Sequence, residues 1–109
     1  MAITIEVSDL VKFKVKGTIN DETGTAKPFD FWLTCERLDA DELSAKIKGD
    51  GNITEFMVDL VRDWDEVRTL AGQKIPFSVD ALRQLLAIPG VAYVSYRTYT
   101  VEVGAKEKN

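Results

Sequence analysis

Asp59, Asp63 and Glu66 recur at intervals of four and three residues. On an α-helix that spacing sets three carboxylates on one face, an arrangement able to hold a hard cation such as Mg²⁺ or Ca²⁺. The apolar residues Ile53, Phe56, Met57, Leu60, Val61 and Trp64 fall on the opposite face of the same helix. A solvated acidic surface is therefore the simpler reading, and no metal is expected. Asp63-Trp64-Asp65-Glu66 also lacks the glycine and the distal glutamate of a calcium loop.

Other chemistry is thinner still. Gly49-Asp50-Gly51 comes closest to a glycine-rich phosphate loop, but it follows a helix pattern and no Gly-Lys-Ser/Thr comes after it. Cys35 is the one cysteine, so it can form no internal disulfide, and it falls on the inward side of a strand pattern. The chain contains no histidine. That removes the commonest general base near neutral pH and every Ser-His-Asp or Cys-His arrangement. No cofactor and no catalysis are expected.

Lys12, Lys14 and Lys16 form the one basic stripe, with Trp32 beside it, as in a small platform of cations and a stacking ring. Glu36 and Asp30 share that face, and the net charge is −4 from 14 basic and 18 acidic side chains. A phosphate backbone is thus an unfavoured partner, and the lysines read as the soluble guard of a strand face. The second and third helices are too far apart for a helix-turn-helix.

These residues sit on elements legible from periodicity. Ile3, Ile5 and Val7, then Val11, Phe13 and Val15, alternate with polar residues and predict a half-buried strand interrupted at Ser8-Asp9. Phe29, Phe31, Leu33 and Cys35 alternate in the same way. A turn near Gly24 would join them as an antiparallel hairpin, with Val15 opposite Leu33, Phe13 opposite Cys35, Lys12 opposite Glu36 and Lys16 opposite Trp32. Asp39 and Glu42 form a capping-box pattern ahead of a first helix with Leu43 and Ile47 as its apolar face, stopped at Gly49. A turn at Asp50-Gly51-Asn52 leads to the second helix, capped by Asn52 or Thr54 and carrying the stripe from Ile53 to Trp64. A loop from Arg68 to Phe77 follows; Ser78 caps a third helix that buries Val79, Leu82, Leu85 and Leu86 and ends at Pro89-Gly90. Val91 to Val103 fits either a strand, by its Val, Tyr and Thr content, or a helix, by the spacing of Val91, Val94, Thr98 and Val101.

The expected fold class is α+β: an N-terminal antiparallel β-hairpin packed with three short helices, in one domain over residues 1–103. Residues 104–109 are expected to form a flexible charged tail. No apolar run approaches the roughly 20 residues that span a bilayer. With Met1-Ala2-Ile3-Thr4 starting no signal peptide pattern, a cytoplasmic location is expected.

Val61-Arg62-Asp63-Trp64-Asp65-Glu66-Val67, Gly72, Ile75-Pro76-Phe77-Ser78, Leu82 and Leu85-Leu86-Ala87-Ile88-Pro89-Gly90-Val91 follow one another in an order that resembles the tail assembly chaperones of long non-contractile-tailed phages and prophages. In that family a helix ends in a Val-x-x-Trp-x-x-Val pattern, then come an Asp/Asn-Gly turn, a hydrophobic-Pro-Phe-Ser/Thr motif, a leucine-bearing helix and a hydrophobic-Pro-Gly motif. Phe31 to Leu43 and the ending Gly104 to Asn109 are also similar to family members. The sequence departs from the pattern at Thr69-Leu70-Ala71, where acidic residues usually precede the glycine, and in its Val-, Tyr- and Thr-rich final segment.

The resemblance implies a non-catalytic protein of the host bacterial cytoplasm that binds the tape measure protein, keeps it soluble, promotes polymerisation of the tail tube protein and self-associates. It also implies a longer product made by frameshifting. The expected contact residues are Trp32, Tyr93, Tyr96 and Tyr99, with Trp64 and Phe77 in the core. Two other readings are a structural tail component retained in the virion and a small nucleic-acid-binding regulator.

Overall fold

A computed structural model of the chain describes residues 2–49 and 51–107. The fold is α+β: a three-stranded antiparallel sheet in the order β1-β2-β3 with four helices. Strands β1 (Leu10–Asn20) and β2 (Ala26–Glu36) form the hairpin. Val11, Phe13, Val15, Phe31, Leu33 and Cys35 all point inward and are buried, as the alternation requires.

The register differs by two residues from the expected one: Val15 faces Phe31, Phe13 faces Leu33, Lys12 faces Thr34, Lys14 faces Trp32 and Lys16 faces Asp30. A shift of two keeps every side chain on its face, so hydrophobic patterning could not distinguish the two registers. The loop decides. The Asp21 carboxylate accepts hydrogen bonds from the Thr23 and Thr25 amides and the Thr23 hydroxyl, and Gly24 supplies a positive φ of 81°. Those bonds, led by the Thr23 hydroxyl, hold the Asp21 carboxyl below the usual carboxylate range.

The strand expected at Ile3, Ile5 and Val7 is absent. Residues 2–9 form neither helix nor strand, and Ile3, Ile5 and Val7 are exposed. The alternation is there but no neighbouring strand is, and a strand unpaired on both edges has no ladder to hold it.

Helix α1 (Ala40–Lys48) begins with the expected capping box: Asp39 accepts from the Glu42 amide, and Glu42 accepts from the Asp39 amide. It buries no residue fully; Leu43 packs against the core, whereas Ile47 is exposed. Asp50, part of the expected turn after it, lies outside the described residues, as do Met1 and the last two residues of the expected tail.

Helix α2 (Ile53–Leu60), capped by Asn52, is shorter than its apolar stripe suggests. The chain then runs directly into β3 (Val61–Asp65), which pairs with β2. Val61 and Trp64 are thus strand residues. A bulge lies between Thr34 and Cys35 in the pairing: Cys35 faces Val61 and Thr34 faces Asp63, so Arg62 is the extra residue. The bulge lets two residues three apart both face the core, which imitates helical spacing. Glu66 ends the strand with a φ of 63°.

Helix α3 (Val79–Leu86) is capped by Ser78 as expected, but Val79 is exposed. Helix α4 (Val91–Glu102) resolves the open alternative in favour of helix. Val91, Ser95, Tyr99 and Val103 recur every four residues and are buried, so packing overrides the strand propensity of the segment. Tyr99 sits edge-on between Phe13 and Phe56, with centroids 6.1 and 5.9 Å away. The core lies between the inner sheet face and the helices, with α4 over β1 and α2 alongside α4.

Candidate interaction surface

The carboxylates that could have formed a cation site do not share a helix face. Asp59 is on α2, Asp63 is on β3 and Glu66 is beyond it. Among the described residues no cluster of His, Cys, Asp or Glu could hold a metal ion. Most of the surrounding acids are instead matched with cations. Glu55 takes both terminal nitrogens of Arg83 at 2.7 and 3.2 Å, and Arg68 binds Glu66 at 3.1 Å. These guanidinium bonds lower the carboxyl pKa of Glu55 and of Glu66. Asp65 is lowered first by the Glu66 amide and then by Lys74, whose Nζ lies 3.2 Å away. Cys35 is fully buried, and burial pushes its thiol up to about 12, which keeps it protonated and unreactive near neutrality.

Trp32 lies where expected, half-buried on the outer face of the sheet. The ammonium groups of Lys12 and Lys14 sit 5.4 and 5.0 Å from its ring centroid, so part of the ring is already engaged. Asp30 is opposite Lys16 and Asp65 opposite Trp32, which leaves this face mixed in sign.

The three tyrosines of α4 do not form one patch. Tyr93 is 52% exposed, with the Arg97 guanidinium 5.9 Å from its centroid. Tyr96 is half-buried and packs edge-on against Phe56 at 5.0 Å. Tyr99 is wholly inside and corrects the expectation that it is a contact residue. Its hydroxyl donates to the Glu36 carbonyl at 2.8 Å and accepts from the Leu38 amide at 3.3 Å, a structural role.

An apolar groove of about 210 Å³ was not foreseen from the sequence. It opens between the tip of the hairpin and the α3–α4 corner, lined chiefly by Ile19, Phe29, Val67, Leu85, Ile88 and Val91, with Asp30, Glu66 and Arg68 also on its walls. Gly17 helps build its hairpin side: a Cβ there would lie 2.6 Å from the Phe29 ring, so only glycine lets that ring lie over β1. Phe29 in turn stacks on Phe31 at 6.1 Å. At the α3–α4 corner, Gly90 turns the chain with a φ of 89°. The lining residues come from four separate parts of the sequence, and no local pattern links them.

Beside the groove, the loop expected from Arg68 to Phe77 is fastened to the body by Trp64. The indole Nε1 donates to the Ile75 carbonyl at 2.8 Å, and Phe77 packs edge-on against the ring at 5.4 Å. No family model, curated protein or solved structure matches this chain.

Proposed function

We propose that the protein is a non-catalytic tail assembly chaperone of a long non-contractile-tailed phage or prophage. It acts in the host bacterial cytoplasm, binds the tape measure protein, keeps it soluble and promotes tail tube polymerisation around it. The observation that carries this reading is that residues bearing the family resemblance come together in space. Val67, Leu85, Ile88 and Val91 line the apolar groove, and Trp64, Ile75 and Phe77 brace the adjoining loop.

An apolar groove with charged groups among its lining suits one face of an amphipathic helix, the form in which a long helical partner presents its side chains. Aliphatic anchors would enter the groove, while Arg68, Glu66 and Asp30 would meet polar flanking residues. Among the described residues no helix is long and apolar enough to cross a membrane, which is compatible with this location.

The test is co-expression with the tape measure protein of the same genome. The wild-type chain should hold that protein in the soluble fraction and co-purify with it. Ile88→Asp, at a groove position that is 37% exposed, should abolish both effects with the far-UV circular dichroism unchanged. If tape measure solubility is the same with and without this protein, the reading is wrong. Finished virions separate it from a retained tail component, because a chaperone is absent from them.

A further inference from the structure

Residues 2–9 leave the body as an arm that carries the side-chain pattern of a β-strand and no partner. Ile3 and Ile5 are 88% and 101% exposed, so neither side chain is sheltered by its own chain. The base of the arm is fixed. The Arg37 amide donates to the Asp9 carbonyl at 2.8 Å, and the Arg37 side chain donates to the carbonyls of Ser8 at 3.0 Å and Val103 at 2.7 Å.

The body offers an open strand edge. β1 is eleven residues long and, among the described residues, pairs only with β2. The bonds from the Arg37 amide to the Asp9 carbonyl and from the Asp21 amide to the Thr25 carbonyl mark odd-numbered residues of β1 as those bonded to β2. In an antiparallel ladder the alternate residues then turn their N–H and C=O groups outward. Lys12, Lys14 and Lys16 therefore present unpaired backbone groups on the open edge.

We infer that the arm of one copy adds as a fourth strand to the β1 edge of a second copy. Side-chain parity and charge both favour the arm over other strands. With Ile3, Ile5 and Val7 on the inner side, Thr4, Glu6 and Ser8 fall on the outer side, where the Lys12-Lys14-Lys16 stripe meets the Glu6 carboxylate. A slip of one residue would reverse both faces. Two β1 edges meeting directly would instead set lysines against lysines, so the charge that blocks edge-to-edge aggregation admits an acidic arm.

Helix α4 supplies cover for the inner side. It lies over β1 and turns Tyr96 toward Phe56 of α2, which runs on into β3 at the far edge. Its outer surface carries a shallow groove of about 360 Å³ lined by Tyr93, Val94, Arg97, Thr98, Val101 and Glu102. Reciprocal exchange of arms closes a dimer, whereas one-way donation builds a ring or a chain. This inference does not rest on the tail assembly reading, and its test uses no tape measure protein.

The test is the mass of the full chain in solution as a function of concentration, by light scattering and sedimentation. The wild-type chain should associate reversibly. Ile5→Asp should weaken association about tenfold or more, by removing the burial of one aliphatic side chain and adding a charge, with the fold unchanged. Lys14→Pro should do the same, since it removes an outward N–H and leaves the β1–β2 bonds intact. Glu6→Lys should weaken association, and more so at low salt. A wild-type chain that stays monomeric at its highest soluble concentration would overturn the inference. So would wild-type association by Ile5→Asp, which remains decisive if Lys14→Pro fails to fold.

Discussion

The Tyr99 hydroxyl donates to the Glu36 carbonyl at 2.8 Å and ties the last turn of α4 to the last residue of β2. The same oxygen accepts from the Leu38 amide, so one side chain satisfies two backbone groups where the sheet hands over to the first helix. Hydrophobic burial of the ring sets the helix down on β1, and the hydroxyl fixes where along the sheet it stops.

Replacing Tyr99 with Phe keeps the ring and strands both backbone groups in a partly buried place. The expected loss is about 1–3 kcal/mol. Urea unfolding should show a lower midpoint with an unchanged slope.

Ser95 lies on the same buried stripe, and among the described residues its Oγ finds no hydrogen-bond partner. Ser95→Ala removes an unsatisfied hydroxyl and raises helix propensity at once. Stability should rise by about 1 kcal/mol, seen as a higher urea midpoint.

Alkaline pH should unfold the protein earlier than its ion pairs would suggest. Burial raises the Cys35 thiol from 9.0 to about 12 and raises the Tyr99 phenol above 10.0. The unfolded chain therefore ionises first. The stability from both groups is complete below pH 9 and is lost as pH climbs toward 12. Unfolding free energy measured across that range should fall steeply, and Cys35→Ala should make the fall shallower.

Gly17→Ala places a methyl 2.6 Å from the Phe29 ring and must displace it. The atoms met are the far end of a half-buried ring that can swing aside, so the expected cost is about 1 kcal/mol or less, with the apolar groove losing its hairpin side. In a double-mutant cycle, most of that cost should vanish in a Phe29→Ala background.

Much of the framework was legible in the sequence because it depends on neighbours in the chain. The odd-residue inner face of the hairpin follows from alternation, and the starts of α1 and α3 follow from the Asp39–Glu42 box and the Ser78 cap. The groove was not legible, since Ile19, Val67 and Leu85 come from separate elements. Trp32 and Tyr93 stand at the surface where aromatic residues were expected to make contacts, but Tyr99 is indistinguishable from them by composition and lies in the core.

What the sequence determined by itself was therefore local: strand parity, helix caps, the stop at Pro89-Gly90 and the absence of histidine chemistry. Tertiary structure decided which of two equally patterned states each segment takes. Val61 to Trp64 leaves the helix because β2 has an edge to pair and a bulge absorbs Arg62. Residues 91–102 become helix because Val91, Ser95 and Tyr99 bury along one line against the sheet. Ile3, Ile5 and Val7 keep a strand's pattern without its structure, because a β-strand exists only when another backbone is there to bond it.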